Sequence, residues 1–103
     1  MDIQTVGPTL VLSGDFDVRS TWEVRNAIYD HLESHHDEDV VVDLSAVTTV
    51  DVTALKVLAV ATRRALAQGQ QLTVRGCGPA VRRMLHLSRL YPALHLESGL
   101  ISA

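Results

Sequence analysis

Apolar and polar positions change rhythm several times along the chain, and each change predicts an element. Ile3 to Val6 and Thr9 to Leu12 read as two short strands joined by the turn-forming pair Gly7-Pro8. The stretch SGDFD, residues 13–17, breaks that pattern and is expected as a loop. Residues 20–33 switch to helical spacing, with Val24, Ala27, Ile28, His31 and Leu32 on one stripe. Ser20 is the expected N-cap and Glu23, three residues on, completes a capping box. DVVVDL, residues 39–44, is a continuous apolar run rich in β-branched side chains, which predicts a strand covered on both faces or a central strand. SAVTTVD after it is expected as a second polar loop.

Residues 52–68 predict a second helix with Leu55, Leu58, Ala59, Thr62 and Leu66 facing inward and Lys56, Arg63 and Gln68 facing away. Gly69 should end it. QLTVR, residues 71–75, reads as a strand and Gly76 to Gly78 as a turn. Pro79 then opens a third helix whose inner face is Val81, Met84, Leu85 and Ser88. Pro92 stops that helix, and ALHLE is a last short strand. The order β β α β α β α β predicts one α/β domain over 1–103, a mixed, mostly parallel sheet with an N-terminal hairpin and helices packed against it. In such a sheet the loops after strand C-termini gather at one edge, where sites tend to lie. SGDFD and SAVTTVD both bring polar residues there.

Composition narrows the function classes. The chain has 103 residues, 47% of them apolar, which suits one domain with a real core. No run approaches the ~20 apolar residues of a membrane span, and the N-terminus has no basic region followed by an apolar one, so the cytoplasm is the expected location. Nine Lys and Arg against twelve Asp and Glu, a net charge of −3, argue against direct nucleic-acid binding. The charges are segregated. Arg63, Arg64, Arg75, Arg82, Arg83 and Arg89 lie in the second half, whereas residues 30–39 are acidic and histidine-rich. The single cysteine, Cys77, excludes an internal disulfide and a thiolate-built metal site.

The candidate chemistry concentrates at the junction VTTVDVTALKVL, residues 47–58. Asp51 is placed to cap the second helix by accepting from first-turn N–H groups. Thr53 falls in that first turn, a position where packing does not ask for threonine. A phosphate on it would add ~1.5–2 negative charges at the positive end of a helix, which tolerates them. A partner docked there would have to desolvate that charge.

Other groupings read as structural. His31 and His35 share a helix face and His36 and Asp37 follow, but no third metal ligand is fixed by spacing, so a solvated helix end is expected and no metal. Cys77 has no local histidine and reads as an incidental or buried thiol. Trp22 and Tyr29 suggest either an interaction patch or, more plainly, partial burial against a neighbouring element. Arg82 and Arg83 read as a solvated helix face. Asp51 or Asp43 as a phosphorelay acceptor would call for an acidic metal cluster and a distant lysine, which Asp15 and Asp17 imitate poorly. GCGPA is too short for a phosphate loop.

The residues LSGDFD, VDLSAVTTVDVTAL and GPAVRRML together resemble the STAS domain of bacterial anti-sigma factor antagonists, over nearly the whole chain. The family usually carries Asp-Ser-Ser-Gly-Leu where this chain has Asp51-Val52-Thr53-Ala54-Leu55. The second serine is the family's phosphorylation site, so the resemblance assigns that role to Thr53. Gly14-Asp15-Phe16-Asp17 matches the turn that meets the partner kinase. The resemblance implies partner switching. The unmodified protein binds an anti-sigma factor that is itself a serine/threonine kinase, phosphorylation releases it, and a phosphatase resets the cycle. The implied partner face is Asp15, Asp17, Asp51, Val52, Thr53, Ala54 and Lys56, with no catalytic residue and no cofactor in this chain. A STAS subunit bracing a permease or ATPase of a transport complex is the alternative on the same fold.

Overall fold

In the computed structural model, which describes residues 1–97, the chain forms a five-stranded sheet with three helices. The elements are β1 (Asp2–Val6), β2 (Thr9–Phe16), α1 (Thr21–Ser34), β3 (Val40–Val50), α2 (Val52–Ala67), β4 (Leu72–Arg75), α3 (Pro79–Ser88) and β5 (His95–Leu96), with a 3-10 turn at Tyr91–Ala93 before β5. The strands lie in sequence order β1-β2-β3-β4-β5. Only β1 and β2 pair antiparallel, across the Gly7-Pro8 turn, and every other pairing is parallel. The expected hairpin and mixed, mostly parallel sheet are both present.

Parallel strands that follow in sequence order receive their crossover helices on one face when each crossover takes the right-handed path. Burial agrees with a sheet covered on one side. Leu10, Leu12, Val40, Val42, Leu44, Leu72 and Val74 are sealed, while their alternates Val11, Val41, Asp43, Thr73 and Arg75 are only half-buried. β3 is thus a central strand, between β2 and β4, and not one covered on both faces.

The helices meet this face with Val24, Ile28 and Leu32 from α1, Leu55 and Leu58 from α2, and Val81 and Leu85 from α3. Each such buried side chain contributes ~1.5–3 kcal/mol relative to exposure. On α2 the inward positions are Ala54, Leu55, Leu58, Ala61, Thr62 and Ala65. Leu66, expected on that stripe, is 62% exposed. The stripe centres on Leu58, Ala61 and Ala65, and Leu66 falls on its flank.

Both loops expected at the sheet edge are strand. β2 runs through Gly14 and Asp15 to Phe16, and β3 runs through Thr48 and Thr49 to Val50. The two extensions pair with each other, with register shifts at Val11/Ser13 and Gly14/Asp15. Gly14, at φ 97°, sits at the second shift, in backbone that a β-carbon would strain.

Helix ends follow sequence rules in three of the expected places. Asp51 caps α2, Gly69 follows it at φ 79°, and Pro79 opens α3. The capping box at Ser20 is absent. The Ser20 hydroxyl accepts from Asp17 N and donates toward the carbonyls of Asp15 and Asp17, so it closes the turn before α1 and caps nothing.

Candidate functional site

The C-terminal ends of β2 and β3 deliver two polar segments to one place, and α2 begins there. Asp51 joins them. Its Oδ1 accepts from Ala54 N at 2.8 Å, the helix cap, and its Oδ2 accepts from Val18 N at 3.0 Å, across to the turn after β2. The Asp51 backbone N–H donates to Phe16 O at 3.3 Å. One carboxylate therefore fixes the start of α2 against the GDFD segment.

Asp15 closes the same junction from the other side. Its Oδ1 accepts from the hydroxyls of Thr49 at 2.8 Å and Thr48 at 2.9 Å, and these hydrogen bonds hold its carboxyl below the usual aspartate range. Asp17 binds Arg19 through a 2.6 Å ion pair and accepts from the Arg19 backbone N–H at 3.0 Å, which lowers its pKa too. Both carboxylates are ionised acceptors at neutral pH.

Thr53 stands one residue into α2, exposed, and among the described residues its hydroxyl has no hydrogen-bond partner. Val52 beside it is 37% exposed and Lys56 is exposed with no ion pair among the described residues. Asp15 and Asp17 line one cavity with Arg19 and Glu23, Thr53 and Lys56 line another with Arg25, and Asp51 bonds the turn after β2 to the start of α2. Ala54 does not belong with them. It is fully buried, because the third residue of α2 points into the core, so its side chain offers nothing to a partner.

The structure adds a neighbour that the motif does not contain. Arg25 on α1 lies over Trp22 at 5.2 Å and over Tyr29 at 4.9 Å, and Arg64 on α2 lies over Tyr29 at 4.4 Å. A cavity lined by Arg25, Tyr29, Thr53, Lys56, Val57 and Val60 connects this group to Thr53. Trp22, expected to be partly buried, is 70% exposed. The spacing Trp22, Arg25, Tyr29 is a helical i, i+3, i+7 row, so the group was available from sequence once Arg25 was set beside the two rings.

The remaining candidates resolve as follows. His31 is buried and His35 half-buried, their rings tilted at 4.3 Å, whereas His36 and Asp37 are exposed, so the expected solvated end begins only beyond His35. Among the described residues no His, Cys, Asp or Glu group converges as a metal site. Cys77 is buried, and burial pushes its thiol pKa up, against only a partial pull from Arg82. That disfavours the thiolate a nucleophile needs. Arg82, expected in solvent, is half-buried and donates from Nε to Cys77 O at 3.1 Å, whereas Arg83 is exposed. At Asp43, burial works to raise the pKa, but the Ser45 hydroxyl and backbone N–H, together with Arg75, outweigh it and lower the value. Those bonds occupy the carboxylate structurally. No helix among the described residues is long and apolar enough to cross a membrane.

The family model described as "Mlab, STAS domain" matches residues 1–95. No curated protein matches the chain. Among solved structures, the chain is similar to an anti-sigma factor antagonist from Mycobacterium paratuberculosis, at 27% identity and a TM-score of 0.73 over 97% of this chain and 86% of that one. It is similar in fold to the anti-sigma factor antagonist SpoIIAA in its unphosphorylated form, at 14% identity and a TM-score of 0.72 over 98% of this chain and 90% of that one. It is similar in fold to RsbS from Moorella thermoacetica, at 22% identity and a TM-score of 0.71 over 93% of this chain and 84% of that one. With a family match across nearly all its length and the same sheet order and helices as these structures, the chain belongs to the STAS domain family.

Proposed function

We propose that this protein is an anti-sigma factor antagonist that works by partner switching, a single STAS domain acting as ligand and substrate and not as catalyst. The observation that carries this reading is the free, exposed Thr53 hydroxyl at the start of α2, beside a turn held to that helix by Asp51. The 27% identity to an anti-sigma factor antagonist supports it. The unmodified face of Asp15, Asp17, Asp51, Val52, Thr53 and Lys56 docks an anti-sigma factor with serine/threonine kinase activity. Docking withdraws that factor from its sigma factor.

The kinase then phosphorylates Thr53. The Thr53 Oγ1–P bond forms as the bond between the γ-phosphorus and its bridging oxygen breaks. A nucleoside diphosphate leaves, and the hydroxyl proton passes to a base on the kinase. The fold withstands the new charge because helix N-termini favour anions. The complex does not, since a docked partner must strip water from a dianion. A phosphatase restores the hydroxyl.

The test mixes the purified chain with candidate anti-sigma kinases and ATP and maps phosphate by mass spectrometry. Phosphate on Thr53, and none on a Thr53→Ala variant, is the expected result. A stable complex with every such kinase and no phosphate on Thr53 overturns the switch. Capture of a permease or transport ATPase, insensitive to Thr53→Glu, would establish the transport-complex reading instead; the exposed apolar Val52, where the family has a hydroxyl, suits such a permanent contact.

A further inference from the structure

The charge around Thr53 is unusual for this chain. Net charge is −3, yet Arg25 and Lys56 beside Thr53, and Arg64 in the last turn of α2, have no carboxylate partner among the described residues. Arg25 and Arg64 are held by aromatic faces instead. A guanidinium over a ring keeps its N–H donors unspent. Both Arg25 and Lys56 border the same cavity as Thr53, a space of about 230 Å³ walled otherwise by Tyr29, Val57 and Val60. Lys56 is three residues beyond Thr53 on α2, within reach on the helix surface. The Asp51 carboxylate, two residues before Thr53, is already engaged by Val18 N and Ala54 N.

We propose that this cavity is an intramolecular receptor for a phosphate on Thr53, with Arg25 and Lys56 as its cationic walls. The inference rests on the modification proposed above and adds what the phosphate does next. A phosphothreonine brings three acceptor oxygens. The Arg25 fork takes two of them and the Lys56 ammonium neutralises the remainder. Arg25 leaves Trp22 and Tyr29 to do so. Modification therefore remakes a cation–aromatic surface on α1 as well as adding charge on α2. Outside the cavity wall, Asp51 stands two residues before Thr53 and opposes the phosphate, and Arg64 lies over the Tyr29 ring and reinforces the positive field.

The test uses the full chain with phosphothreonine placed at position 53 during synthesis, so that it does not depend on any kinase. Phosphorus NMR follows the second ionisation of the phosphate against pH, and amide spectra confirm that each variant is folded. The expected pKa lies at least about half a pH unit below the ~6 of a free phosphothreonine. The double variant Arg25→Gln, Lys56→Gln should return it to the free value. Arg63→Gln, which removes an exposed cation outside the cavity, should leave the wild-type value in place. An unshifted phosphate in the wild-type chain overturns the receptor, and so does an equal rise in the Arg63→Gln variant. Failure of kinases to modify Thr53 would strike the partner-switching reading and leave this result standing.

Discussion

The two ends of the parallel strands use polar residues in opposite ways. At the N-terminal ends of β3 and β4, Gln70 is 4% exposed, and its amide N–H₂ donates to Leu32 O at 3.0 Å, His35 O at 2.9 Å and Glu38 O at 3.3 Å. Gln71 N donates to Asp39 Oδ1 at 2.9 Å, and Val40 N to Gln71 O at 3.0 Å. Gln70, Gln71 and Asp39 there bind neighbouring segments to one another and serve the fold. At the C-terminal ends of β2 and β3, Asp15 and Asp51 also tie segments together, but their neighbours Thr53 and Lys56 are exposed and unengaged. The first end closes a loop over the core. The second builds a rigid frame around one hydroxyl and leaves that hydroxyl free.

This contrast can be broken at either end. Gln70→Ala should have the largest effect, about 2–3 kcal/mol of lost stability by chemical denaturation, because a buried amide that ties the Leu32, His35 and Glu38 carbonyls together is removed, leaving Leu32 O without that donor. Gly76→Ala should cost about 2 kcal/mol. Gly76 sits at φ 76°, and a β-carbon there would stand 2.8 Å from Ser45 Cβ and 2.9 Å from Ser45 N, with backbone that cannot yield. A loss under 0.5 kcal/mol for either would mean that the frame is softer than its hydrogen bonds imply.

Asp51→Ala should cost about 1 kcal/mol as the cap of α2 is lost. It should also loosen Val18, read as faster amide exchange there. The pH dependence sharpens the comparison further. Asp43 has a lowered pKa in the folded state, so its contribution is present above the unfolded value of ~3.9 and is lost as pH falls through the folded value. Asp43→Asn should remove that part of the acid-side decline measured by urea unfolding between neutral pH and pH 3.

The smallest effect on stability belongs at the site itself. Thr53→Glu and Thr53→Ala should each change unfolding free energy by less than about 0.5 kcal/mol, since the side chain is exposed and a first-turn anion suits the helix. A large loss would place Thr53 with Gln70, as a structural residue.

Much of this contrast was legible in the sequence, and what was not has definite causes. The element order, the hairpin, the Asp51 cap, Gly69 and Pro79 all follow from local rules and all stand in the structure. Polarity at Asp15, Thr48 and Thr49 breaks the apolar pattern and gives the ends of β2 and β3 the signature of loops. β-branching in VTTV favours strand all the same, and the carboxylate of Asp15 satisfies both threonine hydroxyls across the pair. Leu66 is apolar but lies off the helix angle of the buried stripe, whereas the small residues Ala61 and Ala65 mark the packed side of α2. Ser20 has the right type and spacing for a capping box, but the preceding turn competes for the same hydroxyl and wins. At the candidate site, Thr53 is singled out by the family motif and the structure shows it exposed. The cations around it are not singled out, since Arg25 reaches Thr53 only through the packing of α1 on α2.

On the proposed function, charge on Thr53 changes what binds without changing what is folded. The most direct measurement is the affinity of an anti-sigma kinase for the unmodified chain and for the chain carrying phosphothreonine at 53, by calorimetry at one salt concentration. The account predicts at least about tenfold weaker binding for the modified chain, some 1.4 kcal/mol, with melting temperatures that coincide. Equal affinities, or weaker binding accompanied by a fallen melting temperature, would contradict it.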